Sequence, residues 1–352
     1  MKLDNIQTLR AAAALMVVAF HAASVWGPEA YIVTANKPLL AFLFGHSGVE
    51  LFFVLSGFII AHAAQRSGTG LKALISYARR RAWRIYPMVF VAAGFGLSLL
   101  LSAHQPVSAD LVFSSFTLLP LGPQYPIVLW SLSHEILFYG VFAIYFVAPR
   151  AVTPLVIILG LISAACYLIW PEAAAANPLR TLASPYNLLF GMGLLVHKVS
   201  AIGQPSPRKG WLWLLAGFAV FSATASYDAT MLQALAESEA KTAAMHMLTP
   251  FYGFGAALLL TGAVALPPAT GCMSRWLVTL GDASFSIYLF HTFGIQFIAR
   301  VLLTSGWTEP YSGFLMLAAF GTLAGLGAWA LVERPLLSMG RSAKALPRNA
   351  AA

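Results

Sequence analysis

About ten stretches of roughly 20 mostly apolar residues, centred near residues 18, 52, 94, 137, 162, 191, 218, 256, 292 and 322, leave this chain little choice of fold class. Soluble domains carry roughly a quarter charged residues. Here the charged share is 9% and the mean hydropathy +0.77. The pattern predicts an all-α, polytopic integral membrane protein of about ten transmembrane helices. The run that follows Lys2 and Arg10 and ends in His-Ala-Ala-Ser has the outline of a signal peptide, but the many later spans make cleavage unnecessary, so it is read as the first span.

Orientation follows from the basic residues. With the N-terminus in the cytoplasm, only Lys37, Arg180, Lys241 and Arg300 of the 21 Lys and Arg fall outside. That is the positive-inside pattern, and an even number of spans leaves both termini cytoplasmic. Glu29, Asp110, Glu172, Asp228, Glu237, Glu239 and Glu309 fall outside on the same scheme. The net charge of +9 sits between apolar spans rather than on a soluble face, which excludes a nucleic-acid partner and leaves membrane lipid as the surface it meets. Cys166 and Cys272 fall toward opposite membrane surfaces, so no disulfide is expected.

Ionisable residues in apolar spans are costly and usually functional. Arg10 and His21 lie on the first span, eleven residues apart. At about 100° per residue they share a face, roughly 16 Å apart along the axis. Arg79, Arg80, Arg81 and Arg84 crowd the cytoplasmic mouth of the third span, with Pro87 expected at the helix start. Arginine forks suit phosphate, although basic residues beside a span also serve as plain anchors. In the second span Glu50 is either an interfacial residue or a carboxylate needing a partner, and Ser56-Gly57 fits a close helix contact.

In the fourth span Ser131 and Glu135 share a face one turn apart, beside His134. Apolar residues run on from Glu135 to Val147, so its carboxylate should face a polar cavity or the protein interior. In the ninth, Ser284, Tyr288 and His291 form a polar stripe, where His291 reads first as a satisfied buried hydrogen-bonding group. His62, His104, His197 and His246 lie near span ends and need no functional role. There is no phosphate loop, H-E-x-x-H helix or G-x-S-x-G elbow, and the scattered histidines lack ligand spacing, so no metal site is expected.

In order along the chain, IQTLRAAAALMVVAFH, GVELFFVLSGFII, RRRAWRIYP, LWSLSHEILFY, LGDASFSIYLFH and VERP resemble the motif blocks of the acyltransferase-3 membrane proteins, of the exopolysaccharide-production acetyltransferase type. The resemblance implies one membrane acyltransferase domain over 1–336, a flexible basic cytoplasmic tail over 337–352, and a bacterial-type inner membrane. It implies transfer of an acyl group, by default acetyl, from cytoplasmic acetyl-CoA as donor substrate to a sugar hydroxyl of an exported or envelope glycan, free or lipid-linked. No permanently bound cofactor is implied. His21 would be the central catalytic group, and Arg10, Arg80, Arg81 and Arg84 the donor-side basic set. Glu135 would support the acceptor side or orient the histidine, while Glu50, Ser131, Tyr288 and His291 would support the site. Glu50 stands where the resembling motif often has Asp.

On this reading the arginines hold the donor's phosphates while its pantetheine arm runs along Ala11–Ala14 toward His21, which acts either as a general base or as an acyl carrier. Glu135 would then orient the imidazole. A proton-coupled transporter or flippase of a glycan is the rival reading, since carriers also bury Glu and His on several spans.

Overall fold

The computed structural model describes residues 4–29, 42–169, 179–182, 184–203, 206–234 and 239–345. Lys2, Lys37, Glu172, Glu237 and Arg348, which entered the topology above, lie outside the described residues. Fourteen α-helices and no strand occur among those described. They are α1 (Asp4–Glu29), α2 (Gly48–Gln65), α3 (Leu71–Ser102), α4 (Ala109–Thr117), α5 (Trp130–Ala143), α6 (Val152–Ile169) and α7 (Leu179–Leu182). They continue as α8 (Tyr186–Ile202), α9 (Pro207–Ala234), α10 (Glu239–Ala265), α11 (Cys272–Asp282), α12 (Ser284–Thr304), α13 (Pro310–Ala328) and α14 (Arg334–Ala345). A π-helical turn, Trp329–Glu333, joins the last two.

Among the described residues, eight segments are long and apolar enough to cross a membrane: Asp4–Trp26, Phe44–Gln65, Leu71–Ser102, Ile127–Phe146, Pro207–Asp228, Met247–Ala265, Ser284–Thr304 and Pro310–Met339. The expected spans near residues 162 and 191 are shorter apolar helices, Val152–Cys166 and Tyr186–Ile202. The segments around α2 and α12 are the most enclosed by other helices, at 67% and 61% buried, which makes them the axis of the bundle. The expected tail boundary at residue 337 falls inside α14, and residues 346–352 lie outside the described residues. Both cysteines are free.

Lipid tails are as apolar as leucine, so burying apolar side chains gives helices little reason to associate, and close packing of small residues takes over. Gly57 of α2 lies against the backbone of Phe190, and Gly193 of α8 lies against the carbonyl of Val54, so neither has room for a Cβ. Ser56-Gly57 is therefore a close helix contact, as expected. The same device closes α1 on α2, where Gly48 rests on the Ala13 carbonyl and Val17.

Two details depart from expectation. Pro87 does not start the third span. It sits inside a continuous helix that begins at Leu71, which carries Arg79–Arg84 on helical faces instead of in a loop. Ala11, Ala13 and Ala14 are fully buried and used for packing, and neither they nor the exposed Ala12 line the cavity described below, so the alanine run is not the course of a donor arm.

The glycine contacts yield a paired prediction. Gly193→Leu should destabilise the detergent-solubilised protein by about 1–3 kcal/mol or more, the cost of overpacking. Gly140→Ala, where a Cβ meets nothing within 4 Å, should leave the melting temperature unchanged or raise it. Thermal unfolding followed by tryptophan fluorescence checks both.

Candidate functional site

A cavity of about 100 Å³, partly open to solvent, lies among α1, α2, α3, α5 and α12. Arg10, Arg81, Arg84, Ser131, Glu135 and Tyr288 all line it, together with Ser56, Ser284, Tyr139 and apolar side chains. Six residues singled out from separate stretches of sequence are thus brought to one space.

The arginines are held from behind. Arg10 donates to Gln7 Oε1 at 3.1 Å, and Gln7 Nε2 donates to Asp282 Oδ1 at 2.5 Å. Arg81 stacks over the rings of Tyr139 and Tyr77, 5.1 and 5.8 Å from their centroids. Arg84 lies over Phe285 at 5.9 Å, with Glu333 Oε1 3.5 Å from its Nη1. Glu333 is 1% exposed, and its other oxygen accepts from Ser286 Oγ at 2.6 Å. The π-turn that carries Glu333 widens the helix by one residue, a feature common at functional sites. Three guanidinium forks around one cavity make a receptor for a multiply charged anion.

Arg80 does not join them. Neighbouring helical residues point about 100° apart, so Arg80 cannot share a face with Arg81, while Arg81 and Arg84, three apart, can. Arg80 is exposed and donates to Ser76 Oγ at 2.5 Å and Ser67 Oγ at 3.0 Å.

Glu135 faces the cavity, as expected of a carboxylate with no local basic neighbour. One of its oxygens accepts from Ser56 Oγ at 3.2 Å and from the Tyr139 hydroxyl. Its hydrogen bonds do not reach His21, so the expected orienting role does not appear in the geometry. The reason is register: the partner of Glu135 one turn on is Tyr139, and the helix facing it is α2 rather than α1. At the far end of the cavity Tyr288 shares a 2.7 Å hydrogen bond with Ser131 and donates to the Val128 carbonyl at 3.1 Å. His134 packs among Phe53, Trp130 and Tyr186, and its Nδ1 donates to the Trp130 carbonyl at 3.1 Å.

His21 stands just beyond that end and does not line the cavity. Its Nδ1 lies 3.0 Å from the Val17 carbonyl and 3.1 Å from His291 Nε2. His291 is one turn beyond Tyr288 on α12, and the two rings are 6.1 Å apart. The polar stripe of the ninth span therefore links the cavity to the histidine of the first.

A second polar cluster escaped the sequence reading. Asp228, taken as an outer acidic residue, is 1% exposed and accepts from His46 Nε2 at 2.7 Å and from the Tyr252 hydroxyl at 2.9 Å. Glu50 is buried beside it, 4.0 Å from His46 Nδ1 and 3.5 Å from Thr249 Oγ1, so it is a paired interior carboxylate and not an interfacial one. It does not line the cavity. His46 and Asp228 are 182 residues apart, His46 in the turn before α2 and Asp228 inside α9. Glu333 was visible only as part of the VERP block, and nothing local in the sequence aims it at Arg84.

With this geometry in place, comparison with known proteins is informative. The sequence profile of the acyltransferase-3 family, described as an acyltransferase domain, matches residues 3–334. The exopolysaccharide production protein ExoZ of Rhizobium meliloti (strain 1021) is 30% identical over 324 residues, covering 88% of this chain and 94% of that protein. Nodulation protein 10 of Rhizobium leguminosarum bv. viciae is 26% identical over 332 residues, covering 84% and 83%. No solved structure matches.

The buried cluster makes a stability prediction. Asp228→Ala leaves His46 and Tyr252 without their shared acceptor, and removing one partner of a buried pair costs about 3–5 kcal/mol. A melting temperature in detergent equal to that of the unsubstituted protein would contradict the assignment.

Proposed function

The chain belongs to the acyltransferase-3 family, and from that footing we propose that it moves an acyl group, by default acetyl, from cytoplasmic acyl-CoA to a sugar hydroxyl of an exported or cell-envelope polysaccharide. The relative named for exopolysaccharide production supports the acceptor class. The observation that carries the donor assignment is the convergence of Arg10, Arg81 and Arg84 on one cavity whose Tyr288 lies 6.1 Å from His291, the hydrogen-bond partner of His21.

Coenzyme A is a phosphorylated nucleotide with a long narrow arm, and the cavity has matching ends. Guanidinium forks at the α1 and α3 side suit its phosphates. The arm then runs between α2, α5 and α12 toward Ser131 and Tyr288, a course that replaces the alanine run of α1. The thioester reaches the layer of Tyr288, with His21 next beyond. As a general base His21 takes the hydroxyl proton, the sugar oxygen attacks the thioester carbonyl, the carbon–sulfur bond breaks, and the proton passes to the departing thiolate. As an acyl carrier it does the same in two halves, which ping-pong kinetics distinguish. Glu135, fixed by Ser56 and Tyr139, sits beside the arm and keeps one anionic oxygen system in a site otherwise crowded with cations.

The same reading sets the protein in a bacterial-type inner membrane with both termini cytoplasmic. On that reading Arg10 of α1 and the arginines of α3 face the cytoplasm, in keeping with a cytoplasmic donor.

Reconstituted protein supplied with acetyl-CoA and an acceptor glycan should release CoA. His21→Ala should abolish release while melting normally; full turnover would sink the histidine mechanism. Arg84→Ala should raise the Kd for acyl-CoA by about tenfold or more, the worth of a charge-assisted hydrogen bond to phosphate. Unchanged affinity, measured by calorimetry, would return Arg84 to membrane anchoring. Stabilisation of the protein by CoA separates this enzyme from a glycan carrier, which has no reason to bind it.

A further inference from the structure

The two histidines at the end of the cavity constrain each other's protons. A carbonyl oxygen only accepts. His291 Nδ1, 3.0 Å from the Ile287 carbonyl, must therefore carry its proton. His21 Nδ1 lies 3.0 Å from the Val17 carbonyl, an acceptor that favours a proton there. The remaining contact, His291 Nε2 to His21 Nδ1 at 3.1 Å, then has one consistent assignment. The bare Nε2 of a neutral His291 accepts from the N–H of His21, which it shares with Val17.

We infer that His291 is a positioning residue that locks His21 in the Nδ1–H tautomer, so that His21 Nε2 is the nitrogen that reacts. The inference rests on the histidine mechanism proposed above and adds which atom performs it. Catalytic histidines usually owe their tautomer to a carboxylate behind the ring. Here no carboxylate among the described residues reaches His21 through a hydrogen bond, and a second imidazole takes that place. An imidazole suits a hydrocarbon interior better than an extra charge, because a neutral acceptor carries no comparable desolvation cost.

The surroundings hold His291 in this state. It is completely buried, and its carbonyl lies under Gly321 of α13, where a Cβ would meet it at 3.2 Å. Its own Nδ1 proton is committed to the turn below. With Nε2 accepting and Nδ1 donating, His291 has no free site at which to take a proton in the reaction, so proton transfer falls to His21 Nε2. When His21 becomes cationic its Nδ1–H still points at two acceptors, and the charge arises where hydrogen bonds already exist.

The test uses His291→Gln and His291→Leu in the full-length protein. Glutamine can offer its amide oxygen near the position of Nε2, whereas leucine fills the space without an acceptor. His291→Leu should lower kcat by about a hundredfold or more, the scale of an impaired general base, with KM for acetyl-CoA unchanged because the arginine end is intact. His291→Gln should recover most of that loss. Equal kcat in His291→Leu and the unsubstituted protein, or no recovery in His291→Gln with both variants melting normally, would overturn the inference.

Nitrogen-15 NMR of histidine-labelled protein gives a readout independent of turnover, with His21→Ala assigning the His21 signals. His21 should show a protonated Nδ1 and a bare Nε2, and a larger share of the Nε2–H tautomer in His291→Leu, where the Val17 carbonyl is left to hold the Nδ1 proton without the second acceptor. A protonated Nε2 in the resting protein would also overturn it. Activity surviving in His21→Ala would instead dismiss the histidine mechanism while leaving the tautomer measurement to stand or fall alone.

Discussion

A guanidinium in a bilayer must be answered, and the contact between Arg84 and Glu333 is the one on which the arrangement of the site depends. It joins α3 to the π-turn after α13, while the other oxygen of Glu333 ties that turn to Ser286 of α12. Three helices distant in sequence are thereby pinned around one charge. Glu333 takes up part of the charge from behind and leaves the cavity side of Arg84 for a ligand. The arrangement resembles a positioned receptor more than a neutralised structural pair, since the 3.5 Å separation is loose and Oε1 makes no hydrogen bond. Arg10 follows the same logic with a neutral intermediary, Gln7, which hands the charge on to Asp282.

Around that anchor the protein sorts its polar groups by purpose. The arginines, Glu135, Ser131 and Tyr288 open onto a cavity, whereas His46, Asp228, Glu50 and Tyr252 satisfy one another within the bundle. Both sets lie in apolar helices and carry ionisable groups, and a sequence cannot distinguish them, because the difference lies in whether a space adjoins. For an acyltransferase this division has a plain use. On the function proposed above, the first set meets a charged substrate that comes and goes, while the second joins α2, α9 and α10.

Much of this was legible in the chain because membrane burial makes periodicity a reliable guide. Arg10 and His21 were placed on one face by helical geometry, and Glu135 was expected to face a polar cavity because no basic neighbour lay within a turn. The failures share one physical cause. Asp228 looked like an outer acidic residue because topology rules judge it by its position in a span, and its partners come from 182 residues upstream and 24 downstream. The alanines of α1 looked like room for a ligand, yet small side chains serve equally to bring backbones together, and against Gly48 they do so. Arg80 was grouped with Arg81 by adjacency, which a helix turns into divergence. Position along one helix can be read from sequence, and the identity of the neighbouring helix cannot.

The central claim is that one cavity receives the donor's phosphates at Arg10, Arg81 and Arg84 and delivers its thioester to His21. The most direct measurement is an electron cryomicroscopy structure of the protein with a non-hydrolysable acetyl-CoA analogue. The account predicts phosphates in hydrogen-bond contact with those three arginines and the acyl carbon approaching His21 Nε2 to within about 3–3.5 Å, the spacing of a reactive complex. An analogue bound on another face, or one whose acyl end points away from the α1–α12 contact, would contradict it.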